Sequence, residues 1–170
     1  TPEIVYGFGF STGYKIVDFS IFFQGIANES FWIDTYNSAP FVNTIIQGET
    51  IGLGNNQLLK AWSDSYWSEA NPNVYARWPR LSVDPVSNNN QTNTWFMQDG
   101  SFLRLKSLEV GLTVPPKIST KLRMAKCRFY VSGTNLLTFS KFKLWDPEMG
   151  GNGLGYPIQR NFNLGVLVEF

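Results

Sequence analysis

Asn163-Leu164-Gly165-Val166-Leu167-Val168-Glu169-Phe170 alternates polar or small residues with apolar ones, except at Leu167, up to an aromatic end. Side chains along an extended strand point alternately to its two faces, so Phe162, Leu164, Val166, Val168 and Phe170 share one face. Asn161, Asn163, Gly165, Leu167 and Glu169 share the other. A soluble chain rarely stops inside a strand on an aromatic residue, because termini fray into water. A strand in the wall of a membrane β-barrel has a reason to do so. Its apolar face meets lipid, and its last aromatic lies in the girdle at the interface.

Composition is compatible with that reading. Hydrophobic residues make up 43% of the 170, inside the globular range. A barrel strand exposes only alternate residues to lipid, so a membrane barrel needs no more. Aromatics reach 16% and glycine numbers 15, a mixture that suits strands and long loops better than helices. With 14 basic against 13 acidic residues there is no nucleic-acid footprint. The absence of histidine removes His-based acid–base catalysis and His-ligated metals. One cysteine, Cys127, excludes an internal disulfide framework, and a buried inert thiol is its default role. No apolar run approaches the roughly 20 residues of a spanning helix. The N-terminal Thr-Pro-Glu-Ile-Val-Tyr has neither an initiator Met nor the blocks of a signal peptide. The expectation is that residues 1–170 are the C-terminal piece of a longer polypeptide.

Working back from the C-terminus, the alternation predicts five strands. Ile4 to Tyr14 sets Ile4, Tyr6, Phe8 and Phe10 on one face. Asp18 to Ile26 sets Phe19, Ile21 and Phe23 against Asp18, Ser20, Phe22 and Gln24. Phe102 to Val114 changes parity midway, which predicts a bulge near Lys106-Ser107. Lys126 to Phe139 places Cys127, Phe129, Val131, Leu137 and Phe139 together, and Ile158 to Phe170 is the fifth strand. Nearly seventy irregular residues from Ala27 to Thr94 are too many for an ordinary connection and read as a functional loop, with a short helix predicted at Gln57 to Trp62. A second loop, Lys141 to Tyr156, is rich in glycine. Connections thus alternate short, long, short, long, as in outer-membrane barrels with short periplasmic turns and long extracellular loops. The predicted fold class is all-β: antiparallel strands forming the last five or so of a large transmembrane barrel.

Asp99-Gly100-Ser101-Phe102-Leu103-Arg104-Leu105-Lys106-Ser107-Leu108-Glu109-Val110-Gly111 closely resembles a segment near the end of SusC/RagA-type TonB-dependent transporters. So does Val131-Ser132-Gly133-Thr134-Asn135-Leu136-Leu137-Thr138-Phe139, followed by Asp146-Pro147-Glu148 and Gly155-Tyr156-Pro157. Gly7-Phe8 with Asp18 to Gly25 resembles the preceding hairpin of that family. Trp67, Asn71-Pro72-Asn73 and Trp78-Pro79-Arg80-Leu81 resemble the loop between them, while Ile33 to Asn56 has no match. The ending carried by Asn163, Gly165, Val168 and Phe170 is similar to the signal that outer-membrane barrels present to the barrel assembly machinery.

The resemblance implies a nutrient importer in the cell outer membrane, a barrel of about 22 strands around a plug. The plug and the segment contacting the TonB complex would lie upstream. It implies a SusD-like surface lipoprotein as lid, oligosaccharides or peptides as cargo, no cofactor, no metal and no catalysis.

Several features have a blander reading beside the functional one. Trp62, Trp67, Trp78 and Trp145, with Tyr66 and Tyr75, are candidate contacts to lid or substrate. Any single one is better explained as packing of the loop on itself. Asp146 and Glu148 suit a turn better than a glycosidase pair or a calcium site. Gly150 to Gly155 lacks the strand, helix and Lys-Ser/Thr of a phosphate loop. Lys117, Lys121, Arg123, Lys126 and Arg128 form a basic cluster, either solvated or near anionic groups at the membrane surface. The rival from another class is a soluble carbohydrate-binding module, which would need regular turns every ~8–12 residues. A secreted glycosidase finds no acid–base constellation.

Overall fold

A computed structural model describes residues 2–41, 44–46, 49–51, 58–82 and 86–170. In chain order its strands are β1 (Ile4–Tyr14), β2 (Val17–Ala27), β3 (Ser30–Trp32), β4 (Thr44–Ile46), β5 (Glu49–Ile51), β6 (Met97–Asp99), β7 (Phe102–Thr113), β8 (Lys126–Ser140) and β9 (Asn161–Glu169). Three single-turn helices accompany them: α1 (Thr35–Ser38), α2 (Lys60–Ser63) and α3 (Pro116–Ser119). The chain divides into two compact units. One comprises residues 1–29, 100–141 and 158–170; the other comprises 30–99 and 142–157.

The first unit is one antiparallel sheet of five strands in the order β1-β2-β7-β8-β9. Directly opposed residues share a face, so the register sorts the whole sheet. One row runs Thr12, Phe19, Val110, Val131, Leu164; the next runs Tyr14, Val17, Leu112, Phe129, Val166. Between them on the opposite face run Gly13, Asp18, Gly111, Tyr130 and Gly165. The apolar sets expected for the separate strands therefore merge into one continuous surface. Phe8 and Phe23 stack on it with centroids 5.2 Å apart, a geometry worth roughly 0.5–1.5 kcal/mol beyond area burial.

The bulge expected at Lys106 is present. Phe22 and Phe23 of β2 oppose Ser107 and Leu105, which leaves Lys106 as the extra residue. It moves the apolar set from odd to even positions, so Leu105 and Leu108 share a face. On β8 the same dislocation is taken up around Asn135, whose φ of 54° is left-handed. The fifth strand begins at Asn161 rather than the expected Ile158. Its pairing with β8 ends at Thr134↔Asn161, where β8 is already bending through that irregularity.

The second unit is built from both long connections. β3 pairs with β6, as Phe31↔Gln98 and its neighbours, and so closes the long excursion at its base. β4 pairs with β5. These short ladders carry no alternation long enough to read from sequence. The helix expected at Gln57 to Trp62 is α2, Lys60–Ser63; Gln57 lies outside the described residues. The core joins Ile33, Ala39, Trp62, Trp78 and Phe96, with Leu144 and Trp145 of the second connection packed against it. Its residues are widely separated in sequence and follow no period.

Candidate functional site

Two surfaces carry the functional argument: the two faces of the sheet, and the aromatic interior of the loop unit. On the apolar face of the sheet Phe8 is 54% exposed, Phe139 57%, Phe162 74% and Leu164 81%. Monomeric soluble proteins rarely leave contiguous apolar patches beyond a few hundred Å². Here every strand contributes to one patch, and neither β1 nor β9 has a partner on its outer edge among the described residues.

The opposite face is mostly small and polar, with Val5, Phe22 and Leu167 as apolar exceptions. Arg128 of β8 donates to Asp18 of β2 through Nε at 3.0 Å and again through Nη2, and to Glu109 of β7 through Nη2 at 2.7 Å. The guanidinium therefore ties three strands together. It lies where a side chain on Gly111 would stand, since a Cβ there would be 2.4 Å from Arg128 Nη2 and from Asp18 Oδ2. In the same row the Tyr130 ring covers Gly165, with an added Cβ 2.3 Å from Cζ. Glycine in these rows makes room for a large neighbour, a device that covers bare strand backbone with an aromatic ring. Gly165, a residue of the assembly-like ending, thus also has a packing reason. Asn163 shares its face, Val168 belongs to the apolar face, and Phe170 is 93% exposed.

The four tryptophans proposed as contacts are drawn together in the loop unit, but not as an exposed platform. Trp62 is 0% exposed and Trp78 3%. Their rings lie 5.0 Å apart, and Trp78 meets Phe96 at 5.3 Å. Trp62 Nε1 donates to the Ser38 carbonyl at 2.8 Å, which satisfies the one polar atom a buried indole carries. Trp67 is half-buried and is tied through its backbone N–H to the Trp78 carbonyl at 2.9 Å. Trp145 is half-buried, meets Phe142 edge-on at 5.0 Å and donates to the Gly150 carbonyl at 2.7 Å. Trp62 and Trp78 are interior residues whose indole faces are used within the unit. Trp67 and Trp145 retain exposed surface.

The Gly-rich segment belongs to the same packing. Asp34 N–H donates to the Gly151 carbonyl at 3.0 Å, and a Cβ on Gly151 would fall 2.0 Å from the Trp32 carbonyl oxygen. Gly153 lies flat on the Trp145 ring. Asp146 accepts from the Glu148 backbone N–H at 3.0 Å and caps a turn. Two clefts among the described residues of this unit are not legible in the sequence, because their walls come from distant segments or from side chains on turns. One, of about 250 Å³, lies among Leu59, Lys60, Leu144, Trp145 and Leu154. The other, of about 270 Å³, is polar and includes Asp64, Tyr66, Asn71 and Asn73. Among the described residues no group of three or more acidic or cysteine side chains is arranged to hold a metal ion.

No protein-family model matches the chain. TonB-dependent receptor P26 of Formosa agariphila is 30% identical over 182 residues, covering 99% of this chain and 17% of that protein. TonB-dependent receptor P3 of the same organism is 27% identical over 186 residues, covering 100% of this chain and 16% of that protein. The chain thus spans about a sixth of the length of these curated relatives. Among solved structures, the RagAB peptide importer in its open-open state aligns over 100% of this chain and 17% of its own, with TM-score 0.68 at 24% identity. Its closed-closed state aligns equally well, with TM-score 0.68 at 25% identity. Sheet order, the segregated faces and these relatives converge: the chain matches TonB-dependent receptors along its whole length, which supports a C-terminal segment of a SusC/RagA-type receptor.

Proposed function

We propose that this segment forms part of the wall and the extracellular loops of an outer-membrane importer driven through the TonB complex. The observation that carries the reading is the sorting of five strands into one apolar and one mostly polar face. The apolar face meets lipid and the polar face lines the lumen. Both long connections leave from the same end of the sheet, because every strand is antiparallel to its neighbour. That end is extracellular; the short turns and the C-terminus are periplasmic. Plug and TonB-contacting segment are assigned to the rest of the polypeptide, and residues 1–170 act as one barrel segment.

The loop unit is the part offered to cargo and to a SusD-like lipoprotein lid. Its supporting observation is a core of its own, which holds a surface steady enough to dock against. Trp67 and Trp145 are the contacts assigned to that surface. Trp62 and Trp78 act through it by packing. Asn163, Gly165, Val168 and Phe170 are assigned to recognition by the barrel assembly machinery. The cargo is an oligosaccharide or a peptide; the importer whose structure it resembles is described as taking peptides. A carbohydrate-binding module in water would have to cover the apolar sheet face, and no layer packs on it among the described residues.

The test is uptake by the living cell. Deletion of the full-length gene should abolish import of one cargo class, and dissipating the proton gradient should do the same. Unchanged uptake of both oligosaccharides and peptides after deletion would refute the importer reading.

A further inference from the structure

The connection between β7 and β8 combines two features that a solvated turn does not need together. Residues 115–126 carry Lys117, Lys121, Arg123 and Lys126 and no acidic residue. Lys126 stands opposite Glu169 across the β8–β9 ladder, and Arg128 is committed to Asp18 and Glu109. Lys117, Lys121 and Arg123 are exposed, and none has an ion-pair partner among the described residues. Beside them Ile118 is 51% exposed and Leu122 61%. They are four positions apart in a helical segment, so they share a side of it, as Lys117 and Lys121 share the adjacent one.

The segment is a hydrogen-bonded, folded turn. α3 opens at Pro116, whose ring suits a first helical turn. Ser119 is 1% exposed and its N–H donates to the Pro115 carbonyl at 3.2 Å. Thr120 Oγ1 donates to the Pro116 carbonyl at 2.7 Å. The left-handed Arg123, φ 56°, turns the chain so that Met124 N–H reaches the Ser119 carbonyl at 2.9 Å. The two aliphatic side chains are thus held out by a folded turn at the end of a sheet whose apolar rows end close by, at Leu112 and Phe129.

We infer that this turn is a binding site for the headgroups of anionic phospholipids in the periplasmic leaflet. Lys117, Lys121 and Arg123 meet the phosphates, and Ile118 and Leu122 enter the adjoining acyl boundary. Charge complementarity and continuity with the lipid-facing sheet surface select this occupant. The inference rests on the barrel reading above. A basic residue held at an anionic surface contributes roughly a fivefold factor in affinity.

The experiment uses the full-length protein purified from outer membranes. Native mass spectrometry would follow retention of added phosphatidylglycerol against phosphatidylethanolamine. Wild type should prefer phosphatidylglycerol, and the triple variant Lys117→Gln, Lys121→Gln, Arg123→Gln should lose at least about tenfold of that preference. Ile118→Ser with Leu122→Ser should weaken retention of both lipids, while inorganic phosphate should displace neither. Heat-modifiable migration would show that each variant is a folded barrel. Equal retention by wild type and the triple variant, or displacement by inorganic phosphate, would overturn the site while leaving the barrel intact. Recovery of the wild-type protein in the soluble fraction would overturn both.

Discussion

The two units use aromatic residues in opposite senses. In the sheet, Phe8, Phe139 and Phe162 stand more than half exposed. In the loop unit, Trp62, Trp78 and Phe96 are at most 3% exposed. On the proposed barrel reading, the solvent on each side explains the contrast. Lipid gives an apolar side chain no reason to hide, so a barrel wall needs only a face that matches the hydrocarbon. Water does, so a long loop must build a core before it can hold a shape. A residue type therefore says little until the solvent around its element is known.

The comparison breaks first, and with the largest effect, at the loop core. Trp62→Ala in the full-length protein should cost the loop unit ~3–5 kcal/mol by leaving a cavity among Ile33, Trp78 and Phe96. Limited proteolysis of intact cells should then cut between residues 58 and 82, while the heat-modifiable barrel persists. Loss of the barrel together with the loop would show that the two units are not energetically separate.

On the wall, Val166→Arg places a charge on the apolar face and should cost ~2–4 kcal/mol near the bilayer midplane. Asn163→Arg, on the other face, should assemble at close to wild-type yield. Equal yields of the two variants in the membrane fraction would reverse the assignment of faces. A smaller effect is expected at Gly165, where a side chain competes with the Tyr130 ring. Gly165→Val should cost ~1–3 kcal/mol by overpacking, and much of the loss should return in the double variant with Tyr130→Ala. If the second substitution rescues nothing, Gly165 serves assembly and not packing.

The smallest change belongs to the ion cluster. Arg128→Met should lower the thermal midpoint only slightly, because the Asp18 and Glu109 side chains are 39% and 36% exposed and remain solvated. A collapse of assembly in this variant would mean that the guanidinium is needed to align β2, β7 and β8.

What could be read from the sequence follows the same division. Each of the five long strands spans nine or more residues and alternates with period two, in β7 on either side of the bulge, so their existence, their faces and the bulge at Lys106 are legible. The start of β9 is not legible because Ile158 continues the apolar pattern beyond Thr134↔Asn161, the last pair of the β8–β9 ladder. The loop unit was not legible. Ladders of three residues carry no period, and the contact of Trp62 with Trp78 joins positions related only by the fold. Aromatics in a loop were natural candidates for contacts, and sequence alone could not separate interior Trp62 from half-exposed Trp145.

Accessibility of engineered cysteines distinguishes a lipid-embedded wall with its loop unit outside from the inverse orientation. In full-length protein with Cys127→Ala, single cysteines would replace Tyr75 and Tyr156 in the loop unit, 90% and 80% exposed. Others would replace Ile16 and Thr120 in the short turns, both exposed. A membrane-impermeant maleimide added to intact cells should label the first pair and spare the second, and permeabilising the outer membrane should expose the second. Labelling of Ile16→Cys and Thr120→Cys in intact cells, with Tyr75→Cys and Tyr156→Cys protected until permeabilisation, would place the short turns outside and the loop unit inside.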